Sequence, residues 1–113
     1  MSSGNWKEMY HAACDGNAEL VELHIKLGVD VNSIHPEYFS TALVASIVER
    51  QTHVALLLLK LGAKPDQLSP LEGFTPIQAA RHFGLTAVEE RLVELGVSPL
   101  AAQESVTPQQ FAF

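Results

Sequence analysis

The sequence predicts an all-α solenoid, built of three helix-turn-helix units with long loops between them and no substantial sheet. Three observations carry that prediction. Leu27-Gly28-Val29, Leu61-Gly62-Ala63 and Leu95-Gly96-Val97 recur with their glycines 34 residues apart, and a fixed period of roughly 20–50 residues marks stacked structural repeats. Each copy ends a segment whose apolar residues fall at helical spacing, where a glycine can take the left-handed conformation that stops a helix. An irregular stretch rich in Pro, Asn, Asp and Ser then follows the first two copies, the composition of turn-bearing loops.

Residues 1–5 carry no pattern and are expected to be a disordered N-terminus. From Trp6 the units overlay on one another: Lys7 to Ala13, then Thr41 to Ile47, then Thr75 to Arg81. Thr75 followed by Pro76 opens a helix with a side-chain cap and a proline at the first helical position; Thr41 caps the second copy. A break follows at Gly16 and Gly84. The second helix of each unit is more apolar: Leu20, Val21, Leu23, His24, Ile25 and Leu27 in the first, Val54 to Leu61 in the middle, and Val88, Leu92, Val93 and Leu95 in the third. Thr86-Ala87-Val88-Glu89 reads as a capping box at the start of the last helix. The units run over about 6–40, 41–74 and 75–100, forming a single domain. Residues 101–113 make a tail that either packs as a cap or partial fourth unit, or exposes Phe111 and Phe113 to a partner.

The ends bear on stacking, because a terminal unit has one face without a neighbour and should be more polar there. Val21 and Ala55 become Glu89, and Leu23 and Leu57 become Arg91, so the third unit reads as a C-terminal cap and the middle one as the interior unit.

At 113 residues, 47 % hydrophobic and 18 % charged, the chain fits a packed globule and excludes a disordered one. No apolar run approaches the length that spans a bilayer, and no segment reads as an export signal. One cysteine cannot pair internally, which suits a cytoplasmic setting. A formal charge of −6 argues against a nucleic-acid surface, which needs clustered positive charge, and permits a basic partner.

Gly73-Phe74-Thr75-Pro76-Ile77-Gln78-Ala79-Ala80, with Gly84 and Val88 to Gly96, resembles the ankyrin repeat. So does Gly16 to Leu23, running on through Lys26-Leu27-Gly28-Val29-Asp30-Val31-Asn32. The resemblance covers about 6–100 in three units, with three departures: Arg50 stands where the pattern has glycine between the helices, the first unit lacks Thr-Pro, and each unit runs one residue longer than the family pattern, which fits best in the loop. It implies that partners bind at the loop tips and on the exposed face of each first helix. Carried over by position, the helix-face rows are Tyr10, Val44, Gln78 and Cys14, Val48, His82. The loop-tip candidates are Ile34, His35, Glu37 and Tyr38, then Leu68, Ser69, Leu71 and Glu72. Tyr38 and Phe39 either contact the partner or tuck under their loop.

Chemistry finds little support. His11, Cys14 and Asp15 lie within about one turn, but His11 occupies the normally inward position of Ala45 and Ala79, and Cys14 has no second cysteine or histidine pair for a metal. His24 replaces a core leucine and reads as a hydrogen-bonded core histidine. Leu56 aligns with Glu22 and Glu90, so it should point outward, to a second contact or a dimer patch. No catalytic, cofactor-binding or metal-binding residue is expected.

The function expected is therefore a non-enzymatic protein-binding module, monomeric, with no nucleic-acid or membrane partner. It would bind and inhibit, neutralise or escort one partner protein, as the family's small toxin-neutralising and immunity proteins do. The rival readings are an assembly protein acting through homo-oligomers and a small cysteine-dependent enzyme.

Overall fold

The computed structural model describes residues 4–100, and its architecture follows the period of the sequence. The helices are α1 (Trp6–Asp15), α2 (Ala18–Lys26), α3 (Ala42–Val48), α4 (Thr52–Lys60), α5 (Pro76–His82) and α6 (Thr86–Glu94). Among the described residues the chain is all-α, with Ser69 and Phe74 forming one isolated bridge. Each unit is an antiparallel pair. The first helices line up as α1–α3–α5, the second helices as α2–α4–α6, so every neighbouring pair shares a buried face.

The local chemistry that starts and stops these helices is mostly the expected one. The Asn5, Asn17 and Thr41 side chains accept from the backbone N–H of Glu8, Leu20 and Val44, satisfying donors that have no partner within the helix. Gln78 Oε1 accepts from Thr75 N–H at 2.9 Å, closing the start of α5. At the far ends, Gly28, Gly62 and Gly96 sit at φ of +106°, +107° and +104°. The residue after each glycine donates back to the helix: Val29 to His24, Ala63 to Leu58, Val97 to Leu92.

Two expectations at the helix starts need correction. Thr86 does not cap α6, because that helix begins one residue earlier with Leu85 as its N-cap, and Glu89 turns to Arg81 instead, at 3.4 Å. Gly4 and Asn5, expected to be unpatterned, are held by the fold. Gly4 N–H donates to Leu27 O, and Asn5 N–H donates to Nδ1 of the buried His24. Residues 1–3 and the tail 101–113 lie outside the described residues.

The core runs the length of the stack through Met9, Val21, Ile47, Val54, Leu58, Ile77, Val88 and Leu92, all fully buried. Its trailing end is polar, but by a different pair than the sequence suggested. Ile47 is buried while its equivalent Arg81 is exposed, and Ala55 is buried while Glu89 is only half-buried. The Arg81–Glu89 ion pair thus covers the face that the first two units bury against their successors. Arg91 is not part of that face: its first-unit equivalent Leu23 is itself 49 % exposed. Leu56, expected to point outward, is half-buried and packs against the core.

Neighbouring units are also stitched at both ends. Asn32 donates to Gly62 O and accepts from Lys64 N–H, and Gln67 donates to Asn32 O. At the opposite end, Gln51 reaches Cys14 O, and the His53 ring lies 2.9 Å from Gly16 O. These bonds satisfy carbonyls that the ends of α1 and α4 leave without a partner inside the helix. No helix among the described residues is long and apolar enough to cross a membrane.

Candidate functional site

The residues predicted to bind a partner divide, in the structure, into a packed aromatic cluster, a buried polar network and an exposed apolar edge. The first loop folds back over α1, so Trp6 stacks on Tyr10 and on His35, with ring centres 4.9 and 5.2 Å apart. Tyr38 sets its edge against Trp6 at 5.4 Å and Tyr10 at 5.0 Å. Its hydroxyl lies 2.9 Å from His11 Nε2. Lys7 pairs with Glu37 and rests over the Tyr38 ring, and the hydrogen bond and charge of Lys7 hold the Glu37 carboxyl below its usual range. Of the two readings of Tyr38, the structure takes the packed one: Tyr38 is half-buried, as are His35 and Ile34. His11 is exposed rather than inward, and its ring meets Tyr38.

Beneath the two loops lies a chain of hydroxyls ending on a carboxylate. Tyr10 donates to Ser40 at 3.0 Å, and Ser40 donates to Glu72 Oε2 at 2.9 Å. Ser69 donates to Glu72 Oε1 at 2.5 Å and accepts from Thr41 N–H at 2.9 Å. Tyr10, Val44 and Ser69 are buried, so their assignment to the contact surface is corrected. For Val44 the cause is position: α3 lies between α1 and α5, and every residue from Ala42 to Ile47 is covered. Gln78 is half-buried and committed to capping Thr75, and Glu72 turns its carboxylate inward.

Beside the exposed Glu37 and His82, what remains outward among the predicted contact residues is apolar. Leu68 is 50 % exposed, Leu71 63 % and Phe39 57 %. Leu71 N–H donates to Phe39 O at 2.7 Å, which sets the two loops edge to edge. Of the two readings of Phe39, the structure leaves its ring exposed rather than tucked under the loop. Phe39 is held at φ +53°, an uncommon conformation for a bulky residue and one that tends to occur at functional positions. Nothing in a Tyr-Phe-Ser string announces a left-handed phenylalanine. On the first-helix face, Cys14 and Val48 are half-buried and His82 is exposed. His82 packs with Phe74 and Phe83, and the guanidinium of Arg50 sits 5.5 Å from the Phe83 ring.

The structure does not assemble a nucleophile at His11, Cys14 and Asp15. His11 is engaged with Tyr38, and the Cys14 thiol is pushed up to about 11, first by burial and then by the charges of Glu49, Asp15 and Glu72. A reactive thiol needs the opposite shift. No group of three metal-ligating side chains occurs among the described residues.

No family model matches the chain. Among curated proteins it is similar to the human ARF GTPase-activating protein GIT1, 38 % identical over 89 residues, and to the mouse protein of that name at the same identity. The rat ARF GTPase-activating protein GIT2 is 35 % identical over 89 residues. The matched stretch covers 78 % of this chain but 11 % of human GIT1, and 79 % of this chain but 12 % of rat GIT2. The chain therefore spans about a ninth of the length of these relatives. They are named for ARF GTPase activation, so the assignment to the ankyrin-repeat family is corrected to a relationship with the GIT proteins. The immunity-protein reading, which hung on that assignment, falls with it.

Proposed function

We propose that this chain is a non-enzymatic protein-interaction module whose contact surface is the apolar edge formed by Phe39, Leu68 and Leu71. The observation that carries this reading is that three large apolar side chains stand exposed on two loops whose backbones are bonded to each other. Exposed apolar groups clustered at a rigid edge are the usual form of a protein contact. A preformed edge also loses little ordering entropy on binding. The half-buried Cys14 and Val48 and the exposed His82 extend the surface along the first helices.

The relatives' name supplies the first partner class to test, the ARF GTPases. Holding such a protein can block or escort it without chemistry by this chain. The polar Arg81–Glu89 end supports a monomer over a filament of stacked copies, since an end-to-end copy would have to desolvate that ion pair. One cysteine and the absence of a spanning helix among the described residues fit a cytoplasmic setting.

The experiment is calorimetric titration of purified ARF GTPases, in the GDP and GTP forms, into the chain and its Phe39→Ser/Leu71→Ser double variant. Removing two anchors should weaken binding by about tenfold or more, with the helical circular dichroism unchanged. Equal affinity in the double variant would remove the loop edge as the contact surface. No binding by the wild-type chain to any ARF protein would remove that partner class.

A further inference from the structure

Glu72 was expected to touch a partner at the tip of the second loop, yet its carboxylate points the other way. It accepts hydrogen bonds from Ser69, within its own loop, and from Ser40, in the first loop. Ser69 in turn receives Thr41 N–H, and Ser40 receives the Tyr10 hydroxyl. The carboxylate oxygens, at 2.9 and 2.5 Å, are nearer to the serine hydroxyls than their other acceptors, Thr41 O at 3.4 Å from Ser40 and Ser40 Oγ at 3.3 Å from Ser69. Each hydroxyl has one hydrogen; those of Ser40 and Ser69 go to the carboxylate, and that of Tyr10 goes to Ser40. A carboxylate, with two acceptor oxygens and no hydrogen, closes such a set, and charge-assisted bonds of this kind are about twice as strong as neutral ones. Directly above it, Leu71 N–H meets Phe39 O, and those two side chains are the most exposed of the apolar edge.

We infer that Glu72, in its ionised form, is the positioning residue that locks the two loops into one edge. Neutralising it uncouples Leu71 from Phe39 while leaving the helical stack folded. This inference rests on the reading of that edge as the contact surface only for its consequence, and the lock itself can be measured without any partner. The groups whose charge meets that of Glu72 are Tyr10 and Cys14 on α1, with Glu49 at the end of α3 acting on the same two. No ion pair to Glu72 occurs among the described residues, so no cation competes with the two serines for it.

The test is amide hydrogen exchange by NMR on the full chain, comparing wild type with Glu72→Gln and Glu72→Ala. The expected result is exchange at Leu71 about tenfold faster or more in both variants, with the core amides of Leu58 and Ala79 changed by less than about twofold. Unchanged Leu71 protection in Glu72→Gln would overturn the inference. An effect in Glu72→Ala alone would also overturn it, since charge would then not be what locks the edge. So would equal loss of protection at Leu58 and Ala79, which would make Glu72 an ordinary stabilising residue. Failure of ARF binding leaves this measurement untouched, so the two readings fail separately.

Discussion

Replacing Tyr38 with alanine should unfold the first unit far more readily than a surface substitution would. The ring meets Trp6 and Tyr10 edge-on and lies beside His11 and His35, with its hydroxyl 2.9 Å from His11 Nε2. A tyrosine buries ~150–250 Å² when enclosed; a little over half of that, at ~25 cal/mol per Å², gives roughly 2–3 kcal/mol. Edge-to-face pairs add ~0.5–1.5 kcal/mol each. Residual clustering in the unfolded chain and relaxation of the loop return part of this, leaving ~2–3 kcal/mol. For a domain of this size that corresponds to a fall in Tm of roughly 10–20 °C. Tyr38→Phe keeps the rings and loses only a solvent-exposed hydrogen bond, so it should cost ~0.5 kcal/mol. Urea unfolding followed by fluorescence of Trp6, the single tryptophan, and by far-ultraviolet circular dichroism measures both the local and the global loss. A Tyr38→Ala protein within ~0.5 kcal/mol of wild type would refute the packing argument and return Tyr38 to the surface.

Two further predictions follow from strained or shifted groups. The fold favours the neutral Cys14 thiol, raising its pKa from 9.0 to about 11, so its contribution is intact below pH 9 and is lost as pH rises from 9 to about 11. The loss should reach ~1–2 kcal/mol. Cys14→Ala should keep only the part of the alkaline slope due to Tyr10, whose pKa burial also raises; an unaltered slope would show that the thiol is not the titrating group. Arg50 holds a left-handed φ of +62° while its guanidinium covers Phe83. Arg50→Gly relieves ~1 kcal/mol of backbone strain and gives up ~0.5–1 kcal/mol of cation–π contact. It should match or exceed wild type in urea, while Arg50→Ala, which keeps the strain, should fall ~1 kcal/mol below the glycine variant. Equal stability of the two variants would mean that the backbone there carries no strain.

The helices were legible because each is written locally. The starts read correctly are marked by Thr41 and Thr75-Pro76, the ends of the second helices by glycines with a donor one residue on, and the faces by period. The polarity of the third unit was legible in kind but misread in detail. Glu89 was found by comparing second helices, whereas its partner Arg81 replaces Ile47 on a first helix, and only the structure brings those two helices into register. The candidate surface was harder. His35 and Tyr38 looked unusual because such loop groups had no visible core, but their core is Trp6 and Tyr10, 28 or more residues earlier in sequence for each ring pair. A side chain's direction in a loop depends on such distant contacts, so Glu72 and Leu71, adjacent in sequence, could not be told apart as inward and outward.

The loops explain why so little helix suffices for a fixed edge. Long loops normally open at small cost because few buried contacts hold them. Here each is tied to a neighbour at several points: Asn32 joins the first loop to Gly62, Lys64 and Gln67, and residues 39–41 are bonded to Ser69, Leu71 and Glu72. Breaking one such bond leaves the others to hold the register, so the edge behaves as part of the stack rather than as free chain. That is the condition under which Phe39 can sit in a left-handed conformation with its ring in solvent: the backbone bonds on both sides, to His35 O and from Leu71 N, outweigh a strain of about 1 kcal/mol. An unstitched loop would relax that residue and turn the ring inward. The exposed ring is therefore a consequence of the inter-unit bonds, and the stacked helices supply the fixed distance across which those bonds form.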